Sequence, residues 1–83
     1  MKVYILTIHQ VNDCEDLGII TKAYDSEEKA IAALKAWRDD EIQYFPKEYY
    51  VYEHDEPTWF EVYQDGRYCY EHSLGTVQEI EVE

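Results

Sequence analysis

The stretch Ser26-Glu27-Glu28-Lys29-Ala30-Ile31-Ala32-Ala33-Leu34-Lys35-Ala36-Trp37-Arg38-Asp39-Asp40-Glu41-Ile42-Gln43 is the only segment of the chain that reads as a helix. Ala30, Ala33, Leu34 and Trp37 recur at three- and four-residue intervals and make one apolar stripe, from which Lys29, Lys35, Asp39 and Asp40 fall away. Asp25 and Ser26 are alternative N-caps. With Asp25 as cap, Glu28 completes a capping-box spacing; with Ser26, Lys29 takes that place. Glu27 and Glu28 suit the positive end of the helix dipole in either case. Pro46 stops the helix, because it has no amide hydrogen and disfavours the helical conformation at Phe45. A stripe of this kind needs a sheet to cover it, and the segments on both sides read as strands.

Before the helix, Lys2 to Gln10 is rich in β-branched and aromatic residues and apolar on both faces, the pattern of a central strand. The polar run Val11 to Asp16 reads as a loop, and Leu17 to Tyr24 as a second strand, antiparallel to the first because the loop is short. After the helix, Tyr49 to Glu56 alternates, with Tyr50, Tyr52 and His54 on one side and Tyr49, Val51, Glu53 and Asp55 on the other, up to a break at Pro57. Thr58 to Gln64, Asp65-Gly66 and Arg67 to His72 read as a hairpin with a two-residue turn. That pairing sets Tyr63 opposite Tyr68, Val62 opposite Cys69, Glu61 opposite Tyr70 and Trp59 opposite His72. Phe60, Val62 and Cys69 then share one face, and Trp59, Tyr63, Tyr68 and Tyr70 the other. Ser73-Leu74-Gly75 reads as a further turn, and Thr76 to Glu83 as a last strand with Val77, Glu79, Glu81 and Glu83 on one side.

These elements predict one α+β domain over residues 1–83: a mainly antiparallel sheet of five to six strands with one helix (about 26–43) on one face, in the order β-β-α-β-β-β(-β). A chain this short buries only roughly 60% of its unfolded surface and cannot support two cores. One helix covers one face of such a sheet, so part of the aromatic set is expected to be exposed on the other.

Nineteen acidic residues against seven basic ones give a net charge of -12, which repels nucleic acid and anionic membranes over most of the surface. Direct nucleic-acid binding is disfavoured further because no run of Lys or Arg adjoins the tyrosines. No apolar run approaches the ~20 residues that cross a bilayer. With no secretory leader read at the start, Cys14 and Cys69 are expected to be reduced and the chain to be cytoplasmic, or in the host cytoplasm if phage-encoded.

No constellation announces catalysis or a cofactor. There is no Gly-rich phosphate loop, the carboxylates are too evenly scattered to nominate an acid/base pair, and Cys14 lies among acids that oppose thiolate formation. His9, His54, His72 and the cysteines invite a metal site. Cys69 and His72, however, are three apart and point to opposite faces of a strand, and no Cys-x-x-Cys or His-x-x-x-His spacing is present. What remains is an aromatic second half interleaved with acids. Tyr50, Tyr52, Glu53, Asp55, Trp59, Glu61, Tyr63, Tyr68 and Tyr70, with Glu79 and Glu81 on the last strand, are the candidate partner-binding residues. Tyr and Trp supply contact area at low entropic cost, and carboxylates beside them pair with Arg and Lys of a partner.

The runs Lys2-Val3-Tyr4-Ile5-Leu6, Leu17-Gly18-Ile19 and Tyr24-Asp25-Ser26-Glu27-Glu28-Lys29-Ala30 resemble a pattern in short uncharacterised proteins of bacteria and their phages. Those proteins open with strand, loop, strand and a helix of the Ser-x-Glu-Lys-Ala type. The resemblance covers roughly the first half of the chain and implies no activity, cofactor or site. The expected role is therefore a non-enzymatic acidic domain that binds a basic protein. Its sharper form is an inhibitor that presents carboxylates in place of phosphates to a nucleic-acid-binding protein. The alternative is a self-associating structural domain, such as a homodimer, with an enzyme or metal-binding protein behind both.

Overall fold

The computed structural model describes residues 1–12, 15–65 and 70–83. The helix α1 runs Glu27–Glu41, and a short 3-10 turn, Ile42–Tyr44, carries the chain to Pro46. Of the two alternative caps, Ser26 is the one used: its backbone is extended, and its hydroxyl oxygen accepts from the Lys29 amide at 3.2 Å. Ala30 and Leu34 are buried, and Ala33 and Trp37 pack against the same core, so the stripe faces the sheet.

Five strands form one antiparallel sheet: β1 (Lys2–Asn12), β2 (Glu15–Tyr24), β3 (Val51–Glu56), β4 (Trp59–Asp65) and β5 (Tyr70–Glu81), in the order β2-β1-β5-β4-β3. The strand apolar on both faces, β1, is flanked on either side, but the middle place belongs to β5.

Ser73-Leu74-Gly75 is not a turn. It lies inside β5, which continues unbroken to Glu81, so the sheet has five strands. The glycine is needed for packing. A Cβ on Gly75 would sit 2.6 Å from Leu34 Cδ1 and 2.8 Å from Trp37 Cζ3, so its missing side chain lets the helix settle on the middle strand.

The pairing of β4 with β5 also differs. Tyr63 stands opposite His72, Glu61 opposite Leu74 and Trp59 opposite Thr76, each four residues further along than the two-residue turn required. Asp65 is opposite Tyr70, so the paired strands are not joined by a two-residue turn. Gly66, Arg67, Tyr68 and Cys69, like Asp13 and Cys14, lie outside the described residues. A displacement by an even number preserves the faces, because side chains alternate with period two. Phe60 and Val62 therefore face the helix, and Trp59, Tyr63, Tyr70 and His72 face away.

In β3 the register slips between Tyr52 and His54. Tyr52 pairs with Val62 and turns to the core, whereas His54 pairs with Glu61 on the opposite face. A bulge at Glu53 thus separates two residues that plain alternation would keep together. It also puts Asp55, paired with Phe60, on the helix side.

The core consists of Leu6, Ile8, Leu34, Phe45, Phe60 and Val62, with Tyr52 and Trp37 edge-on to the Phe60 ring. Every buried residue of the described strands, namely Leu6, Ile8, Phe60, Val62, Ser73 and Gly75, lies on the helix side. Among the described residues none forms a layer over the other face.

Candidate functional site

The uncovered face carries Val3, Ile5, Thr7 and His9 from β1, Ile19 and Thr21 from β2, and Tyr70, His72, Leu74, Thr76 and Ile80 from β5. From β4 and β3 come Trp59, Glu61, Tyr63, Val51, His54 and Glu56. Ile19 is 65% exposed, and Trp59, Tyr70 and Ile80 are each 40% exposed.

The charges are segregated. Among the described residues no lysine or arginine side chain lies on this face. Lys2 and Lys22 pair with Glu81 and Leu6 on the helix side, Lys29, Lys35 and Arg38 are on the helix, and Lys47 sits over the Tyr52 ring. All three histidines of the chain are on the open face instead.

At one end of this face a shallow hollow of about 390 Å³ is lined by Glu53, His54, Glu61, Tyr63, Tyr70 and His72. Glu61 is its fixed point. The Trp59 indole donates to Oε1 at 3.1 Å, and His72 Nε2 lies 2.8 Å from Oε2. The hydrogen bond from His72, and then that from Trp59, holds the Glu61 carboxyl below its usual range, so it is an anion at neutral pH although its side chain is only 22% exposed. Around it the rings are paired: His54 stacks on Trp59 with centroids 3.7 Å apart, and Tyr70 lies parallel to His72 at 6.0 Å.

The candidate residues read from the sequence divide into three groups. Glu53, Trp59, Glu61, Tyr63 and Tyr70 come together around the hollow and its rim. Tyr50, Tyr52 and Asp55 are on the helix side: Tyr50 packs on Phe45 and donates to the Glu71 carboxylate, Tyr52 donates to the Phe45 carbonyl at 2.6 Å, and Asp55 is held by Arg38. Burial raises the Tyr52 phenol above its usual range. Glu79 and Glu81 are exposed on the Val77 side of β5, far along the strand from the hollow. Glu79 accepts from Tyr4 and pairs with Lys2, and Glu81 pairs with the N-terminal amine. Tyr68 lies outside the described residues.

Two histidines that the sequence raised only as candidate metal ligands join the site. His72 was accessible through alternation, since it is two residues beyond Tyr70. His54 was not, because the bulge decides its face. Among the described residues no three His, Cys, Asp or Glu side chains converge as a metal site, and no helix is long and apolar enough to cross a membrane.

No protein-family model matches the chain, and neither the curated proteins nor the solved structures give a match.

Proposed function

We propose that this domain is a non-enzymatic protein-binding module that docks its open sheet face on a basic partner. One observation carries the reading: a sheet face that no described residue layers over bears exposed rings and an oriented carboxylate, while the lysines and arginines among the described residues are all elsewhere. Apolar and aromatic area at the centre of an interface supplies affinity, and acids around it choose a cationic partner and speed the encounter. The sharper form of the proposal is a phage or mobile-element inhibitor that imitates nucleic-acid charge. It is supported by the net charge of -12.

The test is differential capture from bacterial lysate with the native chain, a Trp59→Ala/Glu53→Lys variant and a Glu79→Lys/Glu81→Lys variant. A basic protein retained at low salt, released at high salt and lost only with the first variant supports open-face docking. A protein retained equally by all three, or indifferent to salt, contradicts it.

A second reading, self-association, is favoured by β2. This edge strand exposes Leu17, Ile19 and Ile20 at 58%, 65% and 59%.

A further inference from the structure

The hollow on the open face lies beside a completed version of itself on the opposite face of the same strands. There Arg38 donates from Nε and Nη2 to the two oxygens of Asp55, at 2.8 and 2.7 Å, while its guanidinium carbon lies 5.7 Å from the centre of the Phe60 ring. The parts are a carboxylate, a fork of N–H donors and an aromatic face.

Among the described residues the open face repeats two of those parts and lacks the third. Glu61 pairs across the strands with His54, one position before Asp55 in β3. Each of its oxygens already accepts one hydrogen bond, from Trp59 and from His72. A carboxylate has about four acceptor positions, so roughly one is left on each oxygen, the pattern that a guanidinium fork matches. Ring faces stand on both flanks, in the His54–Trp59 and Tyr70–His72 pairs, and the exposed Glu53 carboxylate adds a second negative charge.

From this juxtaposition we propose that the hollow bounded by Glu53, His54, Glu61, Tyr63, Tyr70 and His72 is a binding site for an arginine side chain of the partner protein. The inference rests on the docking reading and makes it specific. Lysine fits less well: its ammonium is a strongly hydrated point charge that cannot fork two oxygens and stack on a ring at once. The arrangement chooses a planar cation.

The two tryptophans allow a test on the native chain. The Trp59 indole N–H is bonded to Glu61, whereas Trp37 packs against the core on the other side of the sheet and serves as an internal control. The blocked tripeptides Gly-Arg-Gly and Gly-Lys-Gly are titrated into nitrogen-15-labelled protein, and both indole signals are followed. The arginine peptide is expected to move Trp59 saturably in the millimolar range and to leave Trp37 in place, with the lysine peptide weaker by about fivefold or more. Glu61→Gln should weaken arginine binding by about tenfold. Glu53→Gln, which leaves the bonds to Glu61 intact, should weaken it by about twofold. If Glu61→Gln does not fold, the two peptides on the native chain decide. Equal binding of both peptides overturns the arginine assignment and leaves docking to a basic surface standing. No movement of Trp59 with either overturns the site, and the capture experiment then judges the docking reading by itself.

Discussion

Asp55 and His54, adjacent in β3, serve opposite faces of the sheet: Asp55 is forked by Arg38 of α1, and His54 stacks on Trp59. The Arg38–Asp55 pair ties the helix to the far edge strand. Its hydrogen bonds, more than any other influence, hold the Asp55 carboxyl below its usual range and raise the Arg38 guanidinium further. The side chains are 28% and 34% exposed, so solvent screens the attraction. Asp55→Asn should cost about 1 kcal/mol, measured by urea unfolding, with the slope of the transition unchanged. An Asn as stable as the native residue would mean that the fork adds nothing to the fold.

Gly75→Ala tests why β5 runs straight through a sequence that looks like a turn. The added methyl group would meet Leu34, which is 2% exposed, and the Trp37 ring, so one or both side chains must shift. Overpacking of this kind costs about 1–3 kcal/mol. Gly75→Val should cost more than Gly75→Ala, whereas a strand glycine that the helix did not touch would tolerate both. Thermal unfolding of the two variants separates these outcomes.

The same glycine marks where the sequence stopped being readable. Local signals carried the helix, its stripe, its stop at Pro46 and the antiparallel pairing of β1 with β2, because capping and periodicity act over a few residues. Gly75 gives two signals that look alike in one dimension: a chain reversal, or a close approach by a helix more than thirty residues away. The helix wins once its stripe has to be covered. The register of β4 on β5 was misplaced for the related reason that Asp65-Gly66 mimics a tight turn. The faces of Trp59, Phe60, Val62, Tyr63 and Tyr70 still came out right, since an even displacement keeps alternation. The bulge at Glu53 left no trace in the sequence, and it divided the candidate residues of β3 between the two faces.

Acid should loosen the domain through Glu61 and Asp55 together. Both have folded pKa values below their unfolded ones, chiefly through hydrogen bonds from His72 and Arg38 respectively. Their contribution is therefore full above the unfolded values of about 4.3 and 3.9 and is lost as pH falls through the folded ones. Glu61→Gln should lower stability at pH 7 and flatten the loss below pH ~4. An acid limb as steep in Glu61→Gln as in the native chain would assign acid sensitivity to other carboxylates. Unfolding midpoints at several pH values distinguish the two.

The two edges of the sheet are built differently, and the difference makes a prediction about self-association. The β3 edge is short, carries Glu53, Asp55 and Glu56, contains a bulge and runs into Pro57, all of which discourage another strand from pairing. The β2 edge is ten residues long. It does have an irregularity near Gly18, whose φ of 92° suits glycine, but from Ile19 to Tyr24 it pairs regularly with β1, and Lys22 is its only charge there. Exposed Ile19 and Ile20 lie on opposite faces of this strand, so a second copy aligned edge to edge would cover part of both. The net charge of -12 opposes that approach, and added salt relieves it. If β2 pairs with itself, sedimentation should show a dimer that strengthens with salt and is abolished by Ile20→Lys or by Thr21→Pro, whereas Val51→Lys on β3 leaves it unchanged. A monomer at every salt concentration removes self-association and leaves the open face for a foreign partner. A dimer lost with Val51→Lys but not with Ile20→Lys would move the contact from the β2 edge to the open face and place it in competition with docking.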